Sequence, residues 1–239
     1  LHFALLTDYR DAEEETQPED DFFLRLARQG IEALNDKYRH PEGAVFFLFH
    51  RPRRWNPRDR IWMGYERKRG KLRDLNWLLR GGAQGTAEER FAMIVGETRV
   101  LSNVKYVITL DTDTQLARDS AWQFVGAMAH PLNVARYDEA QQRVVAGYGI
   151  LQPRVAVSLS GRNQSRYAHM CTNEPGIDPY TRAVSDVYQD LFGEGSFIGK
   201  GIYDVDAFER SLAGRFPDNR ILSHDLLEEG FIYAAGAGK

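Results

Sequence analysis

The sequence predicts an α/β domain with a mostly parallel sheet flanked by helices. Short apolar runs of strand length, LHFALLT (1–7), AVFFLFH (44–50) and YVITL (106–110), alternate with stretches whose apolar residues recur at helical spacing. The 239 residues, 43% of them apolar, suffice for one large domain with its own core, and no Pro/Ser-rich linker divides them. The first and third runs end in Asp8 and Asp111, and parallel α/β sheets hold ligands at such C-terminal strand ends.

Element by element, LHFALLTD reads as a buried strand that delivers Thr7 and Asp8. Residues 19–38 place Phe22, Phe23, Leu26, Ile31 and Leu34 at helical spacing, with acids in the first turn where the helix dipole favours them. AVFFLFH is the second strand. The arginine-rich stretch after it, with Pro52, Pro57 and Gly64, has no period and reads as a loop. GKLRDLNWLLRGG is a short helix that starts after Gly70 and stops at Gly81-Gly82. Residues 91–95 fit a short strand or a helix end, and 104–111 form a strand. Asp119 or Ser120 caps a helix that runs to about Ala129 before Pro131. RVVAGYGILQPRV (143–155) is β-rich, and 172–185 is a loop. FGEGSFIGKGIYDV (192–205) folds as glycine turns around one strand. Asp204 or Asp206 caps a helix to about Ala213, and SHDLLEEGFIYAA is a final helix.

Composition excludes several classes. Net charge is −3, so nothing global points to nucleic acid. Charge is unevenly placed. Residues 8–21 hold Asp8, Asp11, Glu13, Glu14, Glu15, Glu19, Asp20 and Asp21 against Arg10, which reads as a solvated loop and helix start. Residues 51–73 hold ten bases with only Trp55 and Trp62 as stacking aromatics, which favours phosphate binding and solvation over RNA. Trp77 and Trp122 fall in helical apolar patterns and are expected in the core. The lone Cys171 excludes an internal disulfide and favours a reducing compartment, and His169 lacks partners at zinc-ligand spacing. No apolar run reaches the ~18–20 residues of a spanning helix. Lacking a first methionine and opening inside a strand, the chain reads as a piece of a larger protein.

Asp111 and Asp113, one residue apart after an apolar strand, allow two chemistries. As DxDxT they match haloacid-dehalogenase-type phosphatases, with Asp111 the nucleophile and Asp113 a general acid. That motif belongs near the start of its domain, however, and no downstream acidic pair of the GDxxxD kind follows. As DxD they would hold Mg²⁺ or Mn²⁺ between carboxylates and substrate phosphates. The neighbours favour the second. Asp8 ends a strand. Lys71 lies where a helix N-terminus attracts phosphate, glycines crowd 193–201, and Asp225 sits at the start of a helix.

The phrases LLTDYRDA, RKRGKLRDLN, YVITLDTDTQL, GIDPYTRAVSDVYQDLFGEGSFIGKGIYDVDAFE and ILSHDLLEEG span nearly the whole chain. Together they resemble the glucosyltransferase domain of bacterial cyclic β-1,2-glucan synthases, a processive, inverting GT-A type with a Rossmann-like sheet. The resemblance implies one such domain over 1–239, without the first strand and the C-terminal acceptor motif. It implies that Asp8 meets the uracil of UDP-glucose, that Lys71 meets its diphosphate, and that Asp113 and Asp111 hold Mg²⁺ or Mn²⁺. It further implies that Glu194, Gly195, Ser196 and Lys200 line the side of the β-1,2-glucan acceptor, and that Asp225 is the catalytic base. The domain would work on the cytoplasmic face of the bacterial inner membrane, attached to the remainder of a large membrane-bound synthase, with no nucleic-acid partner. A catalytically silent sugar-nucleotide-binding module is the other reading the resemblance leaves open.

Overall fold

The computed structural model describes residues 1–82, 86–153, 199–212 and 215. It is a mixed α/β chain that divides into two compact units, the described parts of Leu1–Val104 and of Lys105–Phe216.

In the first unit, β1 (Phe3–Asp8), β2 (Phe46–Arg51) and β5 (Met93–Val95) form a sheet in the order β1-β2-β5. β1 and β2 are parallel, with Phe3 opposite Phe46 and Asp8 opposite Arg51. The intervening chain is long enough for that crossover because it contains α1 (Asp20–Lys37). β2 is the centre of the unit: Phe47, Leu48 and Phe49 are all fully buried. Asn35 fixes the entry of β2. Its Oδ1 accepts N–H bonds from Val45 (3.1 Å) and Phe46 (2.9 Å), while its Nδ2 donates to the Phe46 carbonyl at 2.8 Å. Of the apolar residues spaced along α1, only Ile31 is buried; Phe22, Phe23, Leu26 and Leu34 are exposed.

The basic stretch is not a structureless loop. It contains a hairpin of β3 (Arg54–Asn56) and β4 (Ile61–Met63), with Trp55 opposite Trp62. The buried Asn56 builds the turn, accepting N–H bonds from Arg58 at 3.0 Å and Asp59 at 3.3 Å. Side-chain turn chemistry of this kind has no hydrophobic period. Helix α2 (Arg67–Leu79) starts before Gly70, which lies inside its first turn. Its end is as expected: Gly82 N–H bonds to the Trp77 carbonyl and Gly81 N–H to that of Leu78, with both glycines at positive φ. A short α3 (Ala87–Arg90) leads into β5, which resolves residues 93–95 as a strand.

In the second unit, β6 (Tyr106–Thr109), β9 (Ile150–Leu151) and β10 (Gly201–Asp204) form a sheet in the order β6-β10-β9. β7 (Arg136–Asp138) and β8 (Arg143–Ala146) form a hairpin. Helix α4 (Ser120–Ala129) buries Met128, whereas Trp122, expected in the core, is 72% exposed near the helix start. Helix α5 (Val205–Leu212) follows β10 directly. The carboxylate of Asp204 caps it, accepting the N–H groups of Asp206 and Ala207, each at 3.0 Å. Ala207 packs on Val144 of β8, and the Tyr137 hydroxyl donates to the Arg210 carbonyl at 3.0 Å.

A mostly parallel sheet is not what the described residues form. β1 and β2 are the parallel pair, and the other described strand pairs are antiparallel. The four-residue connections of the β3–β4 and β7–β8 hairpins permit no other sense, and β10 runs against both of its neighbours. Apolar runs show that strands exist but not which way each enters its sheet.

The Asp204 cap is testable by urea denaturation. Asp204→Ala is expected to cost about 1 kcal/mol with an unchanged denaturant slope, while Asp204→Ser retains most of that stability.

Candidate functional site

The predicted site residues of the first unit meet at the C-terminal end of β1. Asp8 faces Arg51 across the parallel pair, and the guanidinium grips it as a fork: Nε donates to Oδ1 at 2.7 Å and Nη2 to Oδ2 at 3.1 Å. Arg51 Nη1 also donates to Asp74 Oδ2 of α2 at 3.0 Å, and Nη2 to the carbonyls of Tyr65 (3.1 Å) and Arg67 (3.2 Å). Arg90 binds the other Asp74 oxygen at 2.6 Å and lies over the Trp77 ring at 4.4 Å. Lys71 Nζ stands 3.8 Å from Asp8 Oδ2. The structure therefore brings Asp8 and Lys71 together, but Lys71 is in the second turn of α2 and not at its N-terminus.

Two glycines make this packing possible. A Cβ at Gly64 would lie 2.4 Å from Asp8 Cγ, and one at Gly70 would lie 2.6 Å from Arg51 Nη1. No side chain larger than hydrogen fits at either position without moving the network.

A second buried pair sits beside the first. Arg53 forks onto Asp20 through Nη1 and Nη2, reaches the Arg10 carbonyl at 2.7 Å, and covers the Tyr9 ring at 4.6 Å. Hydrogen bonding from Arg53 holds the Asp20 carboxyl below the usual carboxylate range. Asp8 and Asp20, read from sequence as members of a solvated acidic segment, are thus ion-paired groups with little exposure. Between the pairs lies buried His50, whose Nδ1 is 2.8 Å from the Thr7 hydroxyl and whose ring meets Tyr9 edge-on at 4.1 Å. Its Nε2 is buried with no hydrogen-bond partner. Burial lowers its pKa from the ordinary 6.5. Arg51, Asp74, Arg90 and His50 were missed as site residues. The available signal was a run of charge, HRPRR, placed directly after a fully apolar strand.

In the second unit the DxD pair follows the end of β6. The register that sets Gly201 opposite Thr109 carries Lys200 to that edge, where its Nζ meets Asp111 Oδ2 at 2.7 Å. The Thr109 hydroxyl ties the same edge to the Gly199 carbonyl at 3.2 Å. The Thr114 N–H closes a turn onto the Asp111 carbonyl at 3.0 Å, and Asp113 projects from this turn, exposed, with Oδ1 3.3 Å from the Thr114 hydroxyl. Lys200, expected on an acceptor side, stands beside the first aspartate. Glu194, Gly195, Ser196 and Asp225 lie outside the described residues.

Among the described residues no three or more His, Cys, Asp or Glu side chains cluster as a metal cage. The donor set nevertheless suits a hard cation of the Mg²⁺ or Mn²⁺ kind. Such ions take one or two carboxylates from the protein and fill the remaining positions with phosphate oxygens and water. Asp113 presents its carboxylate at the surface, and Asp111 has one oxygen engaged by Lys200.

Charged side chains gather at strand ends over a mixed α/β scaffold, the position at which open α/β sheets take ligands. No protein-family profile matches the chain. It is 45% identical over 236 residues, 98% of its length, to the cyclic β-(1,2)-glucan synthase NdvB of Rhizobium meliloti (strain 1021). The matched stretch is 8% of that much longer synthase. The chain is therefore homologous to a segment of a cyclic β-(1,2)-glucan synthase, as its motifs led us to expect. No described helix is long and apolar enough to cross a membrane.

The buried groups make stability depend on pH. His50 and Asp20 both bind protons more weakly folded than unfolded, so the unfolded chain takes up more protons and stability rises with pH across each window. Folded stability is expected to be full above about pH 6.5 and to fall below it as the unfolded imidazole charges, with Asp20 adding a further loss at more acidic pH. In urea titrations between pH 7 and 5, His50→Gln should flatten the onset of the fall. An unchanged slope would assign the acid lability elsewhere.

Proposed function

We propose that this chain is a glucosyltransferase domain of the inverting, processive GT-A type, which elongates a β-1,2-glucan from UDP-glucose with Mg²⁺ or Mn²⁺. The observation that carries this reading is the 45% identity across nearly the whole chain to a protein named as a cyclic β-(1,2)-glucan synthase. That similarity favours glycosyl transfer over a phosphatase with Asp111 as nucleophile. The adjacency of Asp8 and Lys71 supports a donor role for both, with the carboxylate toward the uracil and the ammonium toward the diphosphate. The open placement of Asp113 supports metal binding there, with Asp111 beside it. The metal, when bound, neutralises the departing diphosphate.

Asp225 takes the proton from the acceptor's 2-hydroxyl, and the resulting oxygen attacks the anomeric carbon in line as UDP leaves. One displacement inverts the centre and needs one base with no protein nucleophile. Glu194, Gly195, Ser196 and Lys200 form the acceptor side in this reading. The domain would act at the cytoplasmic face of the bacterial inner membrane within the longer synthase.

Calorimetric titration with UDP-glucose, with and without Mn²⁺, tests the donor assignment. Metal-dependent binding is expected, weakened about tenfold or more in Asp113→Asn, the scale of a lost charged contact. UDP-galactose and UDP-N-acetylglucosamine should compete poorly. Binding by Asp113→Asn equal to wild type would remove that aspartate from the site. The base is tested in the full-length synthase. Asp225→Asn should leave donor affinity intact and slow glucan elongation by roughly 10²–10⁴-fold, the usual contribution of a general base.

A further inference from the structure

The charge balance at the end of β1 assigns a task to Arg51. Among the described residues, five side chains are linked there by ion pairs: the cations Arg51, Lys71 and Arg90 and the carboxylates Asp8 and Asp74. The linked set therefore carries one positive charge in excess. The adjoining Arg67–Asp11 and Arg69–Glu66 contacts each join one cation to one carboxylate. Position decides where the excess is felt. Arg51 is 5% exposed and its guanidinium is enclosed by two carboxylates and two carbonyls, so it cannot reach a ligand. Lys71 is 27% exposed and stands 3.8 Å from Asp8, outside hydrogen-bond distance, because the Arg51 fork already engages both Asp8 oxygens.

We infer that Arg51 is a positioning residue that neutralises Asp8 and so leaves the Lys71 ammonium as the outward-facing charge for a diphosphate. Without the fork, the Asp8 carboxylate would turn to the nearest cation, Lys71, and the local excess would vanish. This rests on the nucleotide-sugar reading for the identity of the ligand as a diphosphate; the charge arrangement by itself favours an anion. It also explains how a short basic helix can serve an anion beside an aspartate that would otherwise repel it.

Inorganic pyrophosphate, titrated by calorimetry into the whole chain at low ionic strength, is the probe. Wild type is expected to bind it and Lys71→Met to lose that binding. Arg51→Met should bind about tenfold more weakly, since one charge at contact distance is worth that much or more at a partly exposed site. Arg51→Lys keeps the charge count and should stay within about threefold of wild type, although its denaturation midpoint falls with loss of the fork. The double variant Arg51→Met/Asp8→Asn restores the excess and should recover wild-type affinity. A role in stability alone would lower midpoints without this split between the lysine and methionine variants. If Arg51→Met alone does not fold, Asp8→Asn should still bind tighter than Arg51→Met/Asp8→Asn. Equal affinity within that pair, no recovery in the double variant, or no pyrophosphate binding by wild type would overturn the inference. A pyrophosphate series that behaves as expected beside a chain that ignores UDP-glucose would instead overturn the nucleotide-sugar reading and leave the Arg51 assignment standing.

Discussion

The first unit depends on one buried guanidinium. Arg51 ends the central strand β2, and its donors join the end of β1, the turn before α2 and α2 itself through Asp8, Tyr65, Arg67 and Asp74. A guanidinium suits this place because its donors are fixed in a plane and stay protonated under all ordinary conditions. Burial opposes its charge, but hydrogen bonds and attraction from Asp8 and Asp74 more than offset that and raise its pKa. Removing one partner of such a buried pair costs roughly 3–5 kcal/mol, because the other charge is left without compensation. The glycines at 64 and 70 follow from the same constraint, since a Cβ would lie 2.4 Å from Asp8 Cγ at the first and 2.6 Å from Arg51 Nη1 at the second.

That constraint explains which elements of the fold were legible. Strands β1, β2 and β6 and helices α1, α4 and α5 declare themselves through apolar runs, helical spacing and a capping aspartate, and each lies within a few residues of its expected span. The end of α2 was equally plain because Gly81-Gly82 has a single local meaning. The β3–β4 hairpin was not, because what makes it is the Asn56 side chain and not a period of apolar residues. Strand sense was not legible either. It depends on which strand lies beside which, and the parallel β1–β2 pair is the one whose long helical crossover left the direction open.

The candidate site residues stood out by residue type and position, their partners less so. Asp8, Lys71, Asp111 and Lys200 all stand out in the sequence, and the structure joins the first two and the last two. What sequence could not convey is that charges of one stretch neutralise those of another more than 30 residues away. The acidic segment and the basic segment each looked solvated alone, yet Asp8 pairs with Arg51 and Asp20 with Arg53 across 43 and 33 residues. Two acids and two bases of these segments, Asp8, Asp20, Arg51 and Arg53, are internal to the fold as buried pairs.

The two aspartate-bearing edges share a plan and differ in how firmly they are held. In each unit a carboxylate at or just beyond a strand end is engaged by a cation from another segment. At Asp8 that cation is a two-pronged guanidinium, 5% exposed, and the carboxylate is fixed in orientation as well as charge. At Asp111 it is a single ammonium on a glycine-flanked segment, with the carboxylate 37% exposed. A lysine is a compact, rotatable donor, and its single contact fixes a carboxylate less than a guanidinium fork does. The fork therefore holds Asp8 in one arrangement more firmly than the Lys200 contact by itself holds Asp111. A forked guanidinium fixes the edge that a carboxylate presents, whereas a single ammonium lets it turn, and Asp113, exposed, lies two residues further on.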